Sequence, residues 1–213
     1  MLVQSPSRIY KADFSVWKKE KACILNEIII EEASDLRKVS EIVLDESENY
    51  ILEFAEDSTI MVMILYGEIL INDFEKTISS EQVFTLSSNE SNLFHIKNNL
   101  EEEKADVLIF EFKNKKNNRF FAVEDLHIIS KNILFPISEN VEYPNFIGLY
   151  EGRREQEYIL RKNSKSIFGM VINGAFEFQN RLMESRDAII LSEIATLEFE
   201  ALSENALLIF FEI

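Results

Sequence analysis

Two histidines, His95 and His127, and one cysteine, Cys23, supply all the imidazole and thiolate of this 213-residue chain. A site for a first-row transition metal needs three or four such donors, with carboxylates, on one centre. A three-histidine site is therefore impossible here, and no spacing supports a Cys–His nucleophile pair. Glu53, Asp57 and Thr59 share strand parity, so in an extended stretch they would share a face and could hold a hard cation weakly. The sequence suggests no Asp or Cys near His95 for a catalytic pairing, and His95 reads as a loop or rim residue. His127, within Leu126-His-Ile-Ile129, reads as interdomain packing. Gly152-Arg-Arg-Glu155 is either an anion or partner contact through Arg153 and Arg154 or a surface turn whose arginines pair with Glu151, Glu155 and Glu157. The surface turn is favoured. There is no glycine-rich phosphate loop and no serine in a nucleophile-elbow setting.

The elements that must position these residues are written twice. Ile60–Tyr66, Gly67 and Glu68–Asn72 form an apolar run, a glycine and a second strand, and Ile167–Asn173, Gly174 and Ala175–Gln179 repeat them. Each copy closes on a similar strand, Val107-Leu-Ile-Phe-Glu-Phe112 and Leu208-Ile-Phe-Phe-Glu-Ile213. A repeat of this size predicts two tandem β-domains, and the length accommodates two cores. From Ile24 onward the pattern has period two, as in Thr196-Leu-Glu-Phe-Glu-Ala-Leu202, or is uniformly apolar. Gly67 and Gly174 mark tight turns. Glu31 to Val39 is expected to be loop or short helix, and Phe14 and Trp17 to anchor the N-terminal arm by packing. Lys113-Asn-Lys-Lys-Asn-Asn118 is the best linker candidate. The expected divisions are a first domain over 1–112, an interdomain segment over 113–144 and a second domain over 145–213.

Composition excludes several function classes. With 46% hydrophobic and 28% charged residues the chain is globular rather than disordered. A net charge of −16 repels polyphosphate, and no basic cluster overrides it, so nucleic acid is not an expected partner. The longest apolar run is far shorter than the roughly 20 residues of a membrane-spanning helix, and Met1–Arg8 lacks the apolar core of a signal peptide. The lone cysteine suits a reducing compartment. A cytoplasmic protein with no membrane partner is the expectation.

Four segments, Arg8-Ile-Tyr-Lys-Ala-Asp13, Leu25-Asn-Glu27, the strand ending at Gly67, and Ile147-Gly-Leu-Tyr-Glu-Gly-Arg-Arg154 through Ile213, carry a resemblance to the pirin family, in particular its bacterial members. Their order and spacing run over nearly the whole chain, although each motif is short. The resemblance implies an all-β bicupin, two tandem antiparallel β-sandwich or barrel domains with little helix. It also implies a metal held in the first domain by His-x-His and His-x-Glu. Family spacing from Gly67 puts the first pair on Glu53 and Ala55, and spacing through the repeat puts the second on Phe94 and Ile96. A one-residue slip would present His95, but Lys97 would then replace the carboxylate. The reading is a binding module without metal or cofactor and without catalytic residues. Its vestigial pocket would be formed by Glu53, Ala55, Thr59, Phe94, His95 and Ile96. The alternative is a cupin enzyme, either a quercetin-dioxygenase-like oxidoreductase with atypical ligands or a metal-free acid–base catalyst. A small-molecule ligand, a protein partner and a homodimer that exchanges the strand around Lys11–Asp13 are the partners this reading admits.

Overall fold

The computed structural model describes residues 5–30, 34–71, 74–90, 92–115, 118–161 and 166–213. It is all-β, with a short 3-10 turn at Ala12–Phe14. Two compact units divide the chain, one made of Val16–Leu126 with Asn140–Glu142, the other of the N-terminal residues to Ser15, His127–Glu139 and Tyr143–Ile213.

The first strand, β1 (Ser7–Tyr10), belongs to the second of these units and is described with it. The first unit holds β2 (Lys18–Lys19), β3 (Cys23–Ile29), β4 (Leu36–Leu44), β5 (Asn49–Phe54), β6 (Ser58–Tyr66), β7 (Glu68–Ile71), β8 (Lys76–Ser79), β9 (Gln82–Ser88), β10 (Asn92–Asn98), β11 (Ala105–Lys113) and β12 (Phe120–Asp125). A seven-stranded sheet in the order β12-β9-β6-β11-β4-β3-β2 faces a four-stranded sheet in the order β5-β10-β7-β8. All pairings are antiparallel. The core forms where the inward residues of both sheets meet: Ile42, Val62, Phe84 and Ile109 from the larger, Leu52, Ile69, Phe94 and Ile96 from the smaller. Burying each such side chain contributes roughly 1.5–3 kcal/mol.

The second unit adds β13 (Ile133–Pro136), β14 (Asn145–Tyr150), β15 (Arg154–Ile159), β16 (Ser166–Asn173), β17 (Ala175–Phe178), β18 (Arg181–Glu184), β19 (Ala188–Ser192), β20 (Thr196–Ala201) and β21 (Ala206–Glu212). Its sheets run β1-β19-β16-β21-β14-β13 and β15-β20-β17-β18. Tyr150, Phe176, Phe178, Phe199, Leu208 and Phe210 fill the space between them. Phe176 and Phe199 meet the Tyr150 ring edge-on, with centroids 5.9 and 5.3 Å away.

Gly67 and Gly174 turn the chain at matching points, with φ of +88° and +80°. A Cβ at Gly67 would lie 3.2 Å from the backbone of Ala105, and one at Gly174 3.0 Å from that of Ala206, the first residues of β11 and β21. The repeated glycine thus permits close approach to the strand that closes each unit.

Several elements depart from expectation. In the stretch from Glu31, Ser34 and Asp35 form a bend, as a loop would, but Leu36 opens β4, whose apolar residues pack into the core, and residues 31–33 lie outside the described ones. Phe14 is 84% exposed and Trp17 41% exposed, so neither is buried as an anchor. The arm is held by polar contacts instead. Asp187, buried between β18 and β19, accepts from the Ala12 amide at 2.8 Å and pairs with the Lys11 ammonium. Lys113 ends β11 and Asn114 is buried, its side chain donating to Asn89 Oδ1 at 3.1 Å and Asn118 O at 3.0 Å. Residues 116 and 117 of that stretch lie outside the described ones.

Candidate binding groove

The first unit carries a groove of about 390 Å³ at one end of its two sheets. Phe54 closes β5, Phe94 comes from the first half of β10, Leu86 from the second half of β9, Phe121 from the start of β12, and Phe74 from the connection between β7 and β8. Period-two alternation places Leu52 and Phe54 inward on β5 and Phe94 and Ile96 inward on β10, where Phe94 lies opposite Leu52 and Ile96 opposite Tyr50. Four rings then form a connected wall. Phe74 lies 4.6 Å from Phe121, 5.4 Å from Phe84 and 6.4 Å from Phe94, and Phe84 lies 5.6 Å from Phe94. Arg119 is the one charged side chain among the lining residues. Its guanidinium is 3.6 Å from Glu90, and both groups are largely exposed.

A buried carboxylate fixes the turn beside this wall. Glu111 accepts from the Ala55 amide at 3.0 Å and from Ser58 Oγ at 2.9 Å, with Arg37 at 3.8 Å and Lys38 at 3.7 Å. Arg37 also donates to Glu56 O and Ser58 Oγ, each at 2.7 Å. A buried carboxylate is tolerated when cations and donors surround it in this way. The chain direction after Phe54 is thereby set.

Of the residues singled out from the sequence, Phe94 and Ile96 meet in the core, whereas Glu53, Ala55, Thr59 and His95 are not among the residues packed there. Glu53 is exposed and opposite Leu93, and Ala55 is exposed in the turn. Asp57 takes a left-handed conformation with φ of 50°, which breaks the alternation expected to align Glu53, Asp57 and Thr59. Thr59 is buried with the opposite parity to the core residues Ile60, Val62 and Ile64, and shares a 2.6 Å hydroxyl–hydroxyl hydrogen bond with Ser87. His95 is half-buried on the outward side, opposite Ile51. His127 is exposed after β12. Phe54, Phe74, Phe121 and Arg119 are groove residues that the sequence alone does not single out; phenylalanines near the ends of β5 and β12 are the local signal for Phe54 and Phe121, and nothing local marks Phe74 or Arg119.

The second unit has a groove of different character, about 440 Å³, lined by Glu155, Glu157, Glu177, Glu198 and Glu200. Glu155 lies opposite Glu200, Glu157 opposite Glu198 and Glu177 opposite Glu200. Arg153 reaches Glu200 at 3.5 Å and Arg154 reaches Glu151 at 3.9 Å, so these arginines pair at the surface. Among the described residues no three His, Cys, Asp or Glu side chains assemble into a set that could hold a metal ion.

Burial raises the Cys23 thiol from 9.0 to about 11, with Glu20 and Asp45 adding to the effect. Burial likewise raises Tyr50 from 10.0 to about 12, reinforced by Glu20. Tyr150 and Tyr158 are also pushed up by burial, Tyr158 further by its hydrogen bond to Glu212. These groups remain protonated near neutrality.

Residues 146–213, nearly all the strands of the second unit, match the family described as the quercetinase C-terminal cupin domain. The whole chain superposes on YhhW from Escherichia coli with a TM-score of 0.83 over 98% of both chains at 10% identity. The chain has a bicupin fold like that of YhhW, and its residues 146–213 match the quercetinase cupin family. YhhW in complex with nickel(II), described as a bacterial pirin from Escherichia coli, gives a TM-score of 0.79 at 10% identity over 97% of this bicupin and 98% of that chain. Quercetin 2,3-dioxygenase from Acinetobacter baumannii gives 0.71 at 9% identity over 96% and 78%. At these identities the solved structures speak for the fold. No curated protein sequence matches the bicupin. None of its helical residues among those described form a segment long and apolar enough to cross a membrane.

Proposed function

We propose that this pirin-like bicupin is a non-catalytic binding module that lacks the metal site of its relatives and takes a small apolar molecule into the groove of its first unit. The observation that carries the reading is the chemistry at the family's ligand positions. Phe94 and Ile96 pack into the apolar core, Ala55 has no donor side chain and Glu53 faces solvent. Two histidines in the whole sequence cannot rebuild a three-histidine set. These residues do not fit a nickel or iron ion of the kind held by the nickel-bound pirin. What the same end of the unit offers is aromatic surface, the usual lining of a small-molecule site. The acidic groove of the second unit offers carboxylates at splayed positions and little apolar area to bury, so it is the weaker candidate for such a ligand.

Metal analysis of protein purified without chelator, then incubated with nickel(II) or iron(II) and desalted, tests the loss of the site. The expected content is well below one ion per chain. Near-stoichiometric metal that disappears on mutating His95 or Glu53 would overturn the reading and favour an oxidoreductase with atypical ligands.

A further inference from the structure

The groove of the first unit has an aromatic wall and a single cation, and that pairing narrows its ligand. Phe74 and Phe121 present apolar area, Phe54 and Phe94 back them from the core, and Arg119 stands at the same groove. We infer that the groove selects a planar aromatic monocarboxylate, its rings against Phe74 and Phe121 and its carboxylate on the Arg119 guanidinium. The inference rests on the binding-module reading and adds the acidic group.

Three observations support it. First, the aromatic rings that line or back the groove lie 4.6–6.4 Å from one another in stacked and tilted pairs, so a flat ring system extends the same packing. At about 390 Å³ the groove is near the small end of ligand pockets, suited to one or two fused rings. Second, a guanidinium presents two parallel N–H donors that match a carboxylate. Arg119 is held by Glu90 at 3.6 Å, but with the side chains 60% and 69% exposed that pair is weak and replaceable. Third, the net charge of −16 penalises every additional negative charge on a ligand. A single carboxylate meeting one arginine satisfies the local cation without the repulsion that a phosphate ester or dicarboxylate would meet.

Titration of the full chain with 2-naphthoate and with its neutral isostere 2-naphthamide, followed by calorimetry, tests both levels. The expected result is that naphthoate binds about tenfold more tightly than the amide. Arg119→Gln should remove that preference and leave amide affinity within about twofold of the parent. Phe121→Ala, at a position 47% exposed and therefore tolerant of truncation, should weaken both probes. Equal affinity of the two probes, or a preference that survives Arg119→Gln, would overturn the carboxylate assignment while leaving the apolar groove standing. Binding of neither probe, or binding of both unaffected by Phe121→Ala, would overturn the groove as a ligand site and the inference with it.

Discussion

Cys23 shows how one residue reports on its unit. It sits on β3, 1% exposed, packed against the core of the first unit. Desolvation disfavours the thiolate, and Glu20 and Asp45 nearby disfavour it further, which raises the pKa to about 11. Thiolate is the reactive form, so at pH 8 native Cys23 should react with a disulfide reagent about 100-fold more slowly than a free thiol, and faster only as the unit opens. Stability follows with a definite sign. The folded state holds the Cys23 proton more tightly than the unfolded chain, and the same is true of Tyr50, raised to about 12. Their contribution is complete below pH 9 and is lost as pH rises through 11 to 12, because the unfolded chain gives up these protons first. Urea midpoints measured at pH 7, 9 and 11 should fall only in the last interval, and Cys23→Ser should reduce that fall. A midpoint that rises toward pH 11 would contradict the assignment.

At the scale of elements, the strand repeat was legible because period two and buried runs are local signals. Gly67 and Gly174 do turn the chain, each carrying it from a strand of the larger sheet of its unit to a strand of the smaller, and Leu197, Phe199 and Ala201 do share the buried face of β20. The site was less legible. Its registration counted straight back from Gly67 across a turn in which Asp57 adopts positive φ, so the facing of Glu53 was not set by alternation from β6. Strand parity is reliable within an element and is lost between elements. The groove needed the ends of β5, β9, β10 and β12, separated along the chain, to converge, and only strand pairing reveals that. The polar face of β15, β17 and β20 carries a cost that the sequence shows only as scattered glutamates. Three like-charge pairs lie directly across from each other there, and such pairs are unfavourable. Glu198→Lys should turn the pair with Glu157 into an attraction and raise unfolding stability by about 0.5–1 kcal/mol at low salt. Glu204→Lys makes the same charge change outside these pairings and should stabilise less. The difference should shrink toward zero in about 0.5 M salt, where surface charges are screened. An equal gain from both variants would mean that net charge, not cross-strand pairing, is responsible.

For the molecule as a whole, the chain's start and end share one unit. Residues 7–10 pair with residues 188–191, Ser7 opposite Leu191 and Tyr10 opposite Ala188, making β1 the edge strand of the sheet that contains β21. Further ties lie outside that ladder, among them the Ala12 amide and the Lys11 ammonium on Asp187, and Arg181 donating to Ser5 O at 2.7 Å. Asp187 is 2% exposed and also accepts from the Glu184 amide at 2.8 Å. Removing the N-terminal residues would therefore leave β19 as a bare edge and a buried carboxylate without its cation, a costly state. A chain beginning at Val16 should lose amide protection in β18 and β19 in hydrogen–deuterium exchange, while β6 and β11 of the other unit keep theirs. Asp187→Asn in the full chain should reproduce part of that loss, since it removes the charge that holds Lys11 but keeps an acceptor for the amides. Uniform loss across both units would show that the N-terminal residues serve the whole chain, and unchanged exchange in β19 would show that β1 contributes no stability to the sheet it extends.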